Sequence, residues 1–178
     1  MFKKIAMVVI GATLLTLSAQ AQFNTTGTTS VAVTVAAEAS LQVNTATTTL
    51  ANVGTIFNAY TGTTNLSYKI RTTKTGGTGT ITLEVTSDFS PANGPSIATP
   101  PTAGDAMTYT CTVSAPGTGC TGSVTSSTAS ATSVATFGTN AHSASAGNTG
   151  SVAWSLTDDP TYQTGAYSAT VTFTISAA

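Results

Sequence analysis

From Gly165 to Ala178 the chain reads GAYSATVTFTISAA. Taken in steps of two, Tyr167, Ala169, Val171, Phe173 and Ile175 fall on one side. Ser168, Thr170, Thr172, Thr174 and Ser176 fall on the other. A strict period of two is the mark of a β-strand with one face buried and one face wet. No long stretch repeats apolar residues at i, i+3 and i+4, and β-branched residues occur throughout, so helices are not expected.

The alternation recurs along the chain. Val31, Val33, Val35, Ala37, Ala39, Leu41 and Val43 hold one phase for thirteen residues. This predicts either one long strand or a strand that bends near Ala36 to Ser40, with Glu38 on the outer face. Leu66, Tyr68 and Ile70 share a face, as do Ile81, Leu83 and Val85. The Gly-rich TKTGGTG between them predicts a hairpin. Four of the six prolines lie between Asp88 and Ala106, which reads as a long ordered loop. Further strands are expected at Met107 to Val113, near Val124, at Val134 to Phe137, and over Val152, Trp154 and Leu156. Seven to nine strands separated by turn signals predict an all-β protein, an antiparallel Ig-like β-sandwich. Gly165-Ala166-Tyr167 fits either a tyrosine corner or an ordinary half-buried Tyr.

The chain opens MFKKIAMVVIGATLLTLSAQA. A basic pair, a short apolar stretch and a small-x-small site predict a cleaved signal peptide over 1–21. The domain then runs over 22–178, with 22–43 as a long N-terminal strand. The apolar stretch is short for a bilayer span, so no stable membrane anchor is expected. Export fits the cysteine count. Cys111 and Cys120, in CTVSAPGTGC, predict one disulfide stapling a turn.

Beyond residue 21 only Lys69, Arg71 and Lys74 are basic, against six acids, a net charge of −3. Nucleic-acid binding requires a basic face and is not expected. Charged residues form 6% of the chain, against roughly a quarter in an average domain. Thr, Ser, Ala and Gly replace them. Such a surface suits a protein handled outside the cell or packed against copies of itself.

Residues with catalytic chemistry are sparse. His142 is the one histidine and sits among Ser and Gly in a predicted loop; no GxSxG accompanies it. Asp158-Asp159 before Pro160 reads as a turn rather than a calcium loop. An enzyme is not expected, nor a cofactor or metal. Tyr68, Tyr109, Trp154 and Tyr167 lie in phase with core positions. Tyr60 and Tyr162 fall in predicted loops, where they are candidates for contact with glycans.

The ending resembles the closing strand of secreted fimbrial-type subunits, the spore coat protein U group and the chaperone–usher pilins. The resemblance rests on Gly165, Tyr167, Val171, Phe173 and Ile175. It departs from the pilins in ending on Ala177-Ala178 and in the close spacing of Cys111 and Cys120. It implies an incomplete sandwich completed by a strand from an assembly chaperone or a neighbouring subunit. The expected function is a structural subunit of an extracellular appendage or coat, at the cell surface, assembling into a filament by strand exchange. Val31, Val33, Val35, Leu41 and Val43 of the first strand, and Tyr167, Val171, Phe173 and Ile175 of the last, are the candidate assembly residues. The alternative is a monomeric secreted module that recognises glycans or a protein partner.

Overall fold

The computed structural model describes residues 26–178. The expected signal peptide lies outside them. Two units are distinguished, one ending at Thr34 and one spanning Val35–Ala178. In the first, residues 26–34 form no strand or helix, and Val31 and Val33 are 91% and 85% exposed.

The second unit is a β-sandwich, and no helix occurs among the described residues. In chain order its strands are β1 (Glu38–Val43), β2 (Ala51–Asn52), β3 (Tyr60–Arg71), β4 (Gly79–Ser90), β5 (Met107–Val113), β6 (Thr118–Gly119), β7 (Val124–Thr125), β8 (Thr132–Phe137), β9 (Asn148–Leu156) and β10 (Ser168–Ala177). One antiparallel sheet runs β1-β3-β9-β5-β7, with β2 also on the edge of β3. The other runs β10-β4-β8-β6. The ten strands exceed the expected seven to nine because three of them are two-residue pairings.

Alternation explains the core. Leu66, Tyr68 and Ile70 of β3, Met107 and Tyr109 of β5, and Val152, Trp154 and Leu156 of β9 form the inner face of the larger sheet. They meet Ile81, Leu83 and Val85 of β4 with Val134 and Phe137 of β8. Tilted aromatic pairs, Tyr68–Phe137 at 5.2 Å and Tyr109–Trp154 at 5.4 Å, tie this interior together. Buried polar atoms are matched: Trp154 Nε1 donates to Thr64 Oγ1 at 2.8 Å, and Tyr109 OH to Thr132 Oγ1 at 2.7 Å.

Two expectations about connections are corrected. β3 and β4 are not a hairpin, because they belong to opposite sheets. Their apolar faces were identified correctly, but these faces pack against each other across the core. Likewise Cys111 and Cys120 form the expected disulfide, but Cys111 is on β5 and Cys120 follows β6 in the other sheet. The staple closes a crossover between sheets rather than a hairpin.

The first strand is also shorter than its alternation. Its ladder on β3 begins at the pair Glu38↔Arg71. The next rung on that edge would use Thr73. Its N–H is bonded to Ala178 O at 3.0 Å, and its C=O accepts Asn140 N–H at 2.9 Å. Pairing therefore stops although the pattern continues. Arg71 marks the end, with Nε donating to Ala36 O at 2.8 Å and Nη2 pairing with Glu38 at 3.0 Å.

Candidate functional site

Two edge strands border one side of the sandwich. β1 and β10 are edge strands of different sheets and face each other across the sandwich. The inward residues of β10, from Ala169 through Val171, Phe173 and Ile175 to Ala177, are only half-buried, whereas Leu83 and Val85 on neighbouring β4 are fully buried. An interior position loses its cover when no strand lies beyond it.

Between β10 and the strap of residues 44–59 runs a groove of about 1250 Å³. Leu50, Met107, Trp154 and Leu156 contribute apolar lining, with Val171 and Phe173 on the β10 side. The strap is held down at its middle. Thr48 and Thr64 share a hydroxyl hydrogen bond of 2.6 Å, and a Cβ at Gly62 would lie 2.6 Å from Thr49 O. Only glycine allows the strap to cross β3 that closely.

The rim carries exposed apolar side chains. Val43, Ile56 and Phe57 line the groove and are 42%, 87% and 59% exposed. Phe57 also has a backbone φ of +57°, a left-handed conformation that a bulky residue adopts at a cost. Val53, Ile56 and Phe57 form an apolar cluster in the sequence, and all three are exposed. Seven large hydrophobics are exposed among the described residues. Val31, Val33 and Val35 precede the first strand; Val43, Ile56 and Phe57 line the groove, and Val53 sits in the strap between the lining residues Asn52 and Gly54.

One end of the groove is polar. Tyr162 OH donates to Asp105 at 3.0 Å; burial, then the Asp105 carboxylate, pushes its pKa up. Tyr60 is raised in the same sense by burial and by Asp158. Both rings are half-buried, and Tyr60 opens β3, so the two are not the exposed loop aromatics expected from sequence. Asp159 is pulled down to about 2 by hydrogen bonds from the Thr102 hydroxyl and the Thr161 N–H. It organises the turn before β10. Asn52 Nδ2 reaches Asp158 at 3.0 Å and fastens the strap to that turn.

At the start of β10, Tyr167 OH donates to Gln163 O, four residues upstream, at 2.7 Å. This is the bond expected of a tyrosine corner. Its ring covers Gly94, where an added Cβ would overlap the ring. His142 is exposed, as expected, and bridges to Arg71 through the backbone.

The predicted assembly residues thus divide by position. Leu41, Val171, Phe173 and Ile175 pack against the core, Tyr167 caps the corner, and Val43 is at the groove rim rather than inside. Val31, Val33 and Val35 are exposed. These features define a β-sandwich with a groove beside β10 and exposed valines before its first strand. No protein-family model, curated protein or solved structure matches the chain.

Proposed function

We propose that this protein is a structural subunit of an extracellular appendage or coat, with an incomplete Ig-like sandwich, and that it assembles by strand donation. In this reading residues 26–35 of one copy lie along β10 of the next, with Val31, Val33 and Val35 filling the groove. The observation that carries it is the division of the exposed large hydrophobics between that segment and the groove rim. Three valines at alternate positions match three half-buried inward positions of β10 that border or approach the groove, Ala169, Val171 and Phe173. An added strand would satisfy the free edge of β10 through backbone bonds and place alternate side chains in the groove. Burying three valines contributes roughly 5–9 kcal/mol before the cost of ordering the segment. The commitment of Thr73 to Ala178 and Asn140 supports a donor that acts between copies, because β1 cannot lengthen on its own sheet. The disulfide and the expected signal peptide support work outside the cell.

Val33→Asp tests the reading. The residue is exposed, so the sandwich should keep its thermal stability while sedimentable polymers disappear. Polymers of normal length from this variant would refute strand donation by this segment.

A further inference from the structure

We propose that the two ends of the sandwich are complementary docking surfaces, the basic end of one copy seating on the acidic end of the next. This contact rests on the strand-donation reading for the order of copies.

The strands fix the ends. β3 runs from Tyr60 to Arg71, about 37 Å at ordinary strand rise. At one end Arg71 bridges to His142, and Thr73 N–H reaches Ala178 O at 3.0 Å. At the other, Leu156 pairs with both Tyr60 and Met107, and Asp158 accepts from Asn52. Charge is divided between them. Lys69, Arg71 and Lys74, every basic residue beyond position 21, cluster at the first end. Glu38, the one acid there, pairs with Arg71, and Lys69 and Lys74 are exposed. Asp88, Asp105, Asp158 and Asp159, four of the six acids, lie at the second end. Among the described residues none of these four is in an ion pair. Their field acts on Tyr162: after burial and the bond to Asp105, the charges of Asp105, Asp159 and Asp158 raise its pKa.

The path of the chain selects the occupant. Ala36 O accepts from Arg71 Nε, so the residues before β1 join the sandwich at its basic end. The groove lies toward the acidic end, where Asp158, Asp159 and Tyr162 line it. The donor cannot double back into its own groove. Val33 and Val31 lie two and four residues from Val35, a reach of about 7 and 14 Å. Val171 and Ala169 lie seven and nine positions from Ala178, about 24 and 31 Å down β10. A second copy is therefore required. In that copy β1 starts at the Arg71 end and faces the last residues of β10, so the incoming chain leaves the groove past Ser168. Only Ala36 and Ala37 then link Val35 to its own β1, roughly 10 Å of chain. The basic end of the donor copy is drawn against the acidic end of the acceptor.

Charges placed around a joint act chiefly on encounter. Opposite signs steer the two surfaces together and make the rate of association sensitive to salt. They also select the order of copies, because two acidic ends repel. The groove then supplies the lasting hold and the ends supply the orientation.

Carbodiimide, which joins an amine to a carboxylate that touches it, tests the contact on the full-length protein. An equal mixture of isotopically heavy and light copies, treated at low salt, identifies links between copies by mass spectrometry. Heavy–light products should carry Lys74 or Lys69 joined to Asp158 or Asp105, and their yield should fall about tenfold at high salt. Lys74→Gln should slow elongation about threefold, whereas Thr110→Asp, which shifts net charge equally on the middle of an outer face, should not. Absence of those links, or equal slowing by both variants, would overturn the proposal. Polymers without the links would leave strand donation standing and remove this contact. Links without polymers would keep the contact and remove strand donation.

Discussion

Gly94 and Tyr167 form one unit although 73 positions separate them in sequence. The ring lies where a Cβ would project, so Gly94→Ala forces the ring or the Pro-rich loop to move. We expect a loss of about 1–3 kcal/mol in chemical denaturation, as for other overpacked sites. Tyr167→Phe, which keeps the ring and loses the bond to Gln163, should cost about 1 kcal/mol. Phe57 should behave in the opposite sense. Its left-handed backbone suits glycine, and its exposed ring adds little packing. Phe57→Gly should therefore hold or raise the melting temperature while weakening polymerisation. Asp88 gives a pH prediction. Burial raises its pKa, but bonds from the N–H groups of Ile97, Ala98 and Phe89 and from the Ser96 hydroxyl outweigh burial and hold it below the usual value. Its contribution is full above the unfolded carboxylate range, near pH 4, and is lost as pH falls through the lowered folded value. Amide resonances of Ile97 and Ala98 should titrate together in that acidic window; shifts that begin near neutral pH would contradict the assignment.

At the scale of elements, alternation told which side chains of each strand face inward. Leu66, Tyr68, Ile70, Ile81, Leu83 and Val85 are all buried where the period put them. It did not tell which strands are neighbours. The Gly-rich turn after β3 joins two sheets, and a period of two is the same in a hairpin as in two faces packed together. The Cys111–Cys120 staple was misplaced for the same reason. Its pairing was legible from a count of two, whereas the crossover it closes depends on tertiary structure. The end of β1 was illegible because Thr73 is bonded to Ala178, more than a hundred residues away. The groove followed suit, since a missing neighbour leaves no trace in local pattern. Tyr162 lies in a loop as its surroundings indicate, but neither it nor Tyr60 is exposed, because the acids beside them, Asp105 and Asp158, are distant in sequence. The disulfide belongs to this scale as well. With its cysteines nine positions apart in sequence, Cys111→Ser with Cys120→Ser should lower unfolding stability by about 2–3 kcal/mol. Denaturant titration of the double variant measures it.

For the whole molecule, the proposed joint would draw both its halves, the edge of β10 and the apolar segment, from the same chain. A two-part joint of this kind is heterologous, so it produces open chains unless the geometry closes a ring. Growth by this route should be linear with concentration-dependent length. Supplying a peptide of residues 26–37 in excess should shorten the polymers in electron micrographs by occupying acceptor grooves. An unchanged length distribution at saturating peptide would argue against the groove as acceptor.

The single tryptophan of the chain lines that groove, with its indole N–H tied to Thr64. All indole emission therefore comes from one place, beside the proposed seat of the incoming strand. Occupancy of the joint becomes an optical quantity. The ring is already buried, so filling the groove should leave the emission wavelength nearly unchanged and lower the residual quenching by acrylamide. Unlabelled protein could then be followed from free subunit to polymer in an ordinary fluorimeter.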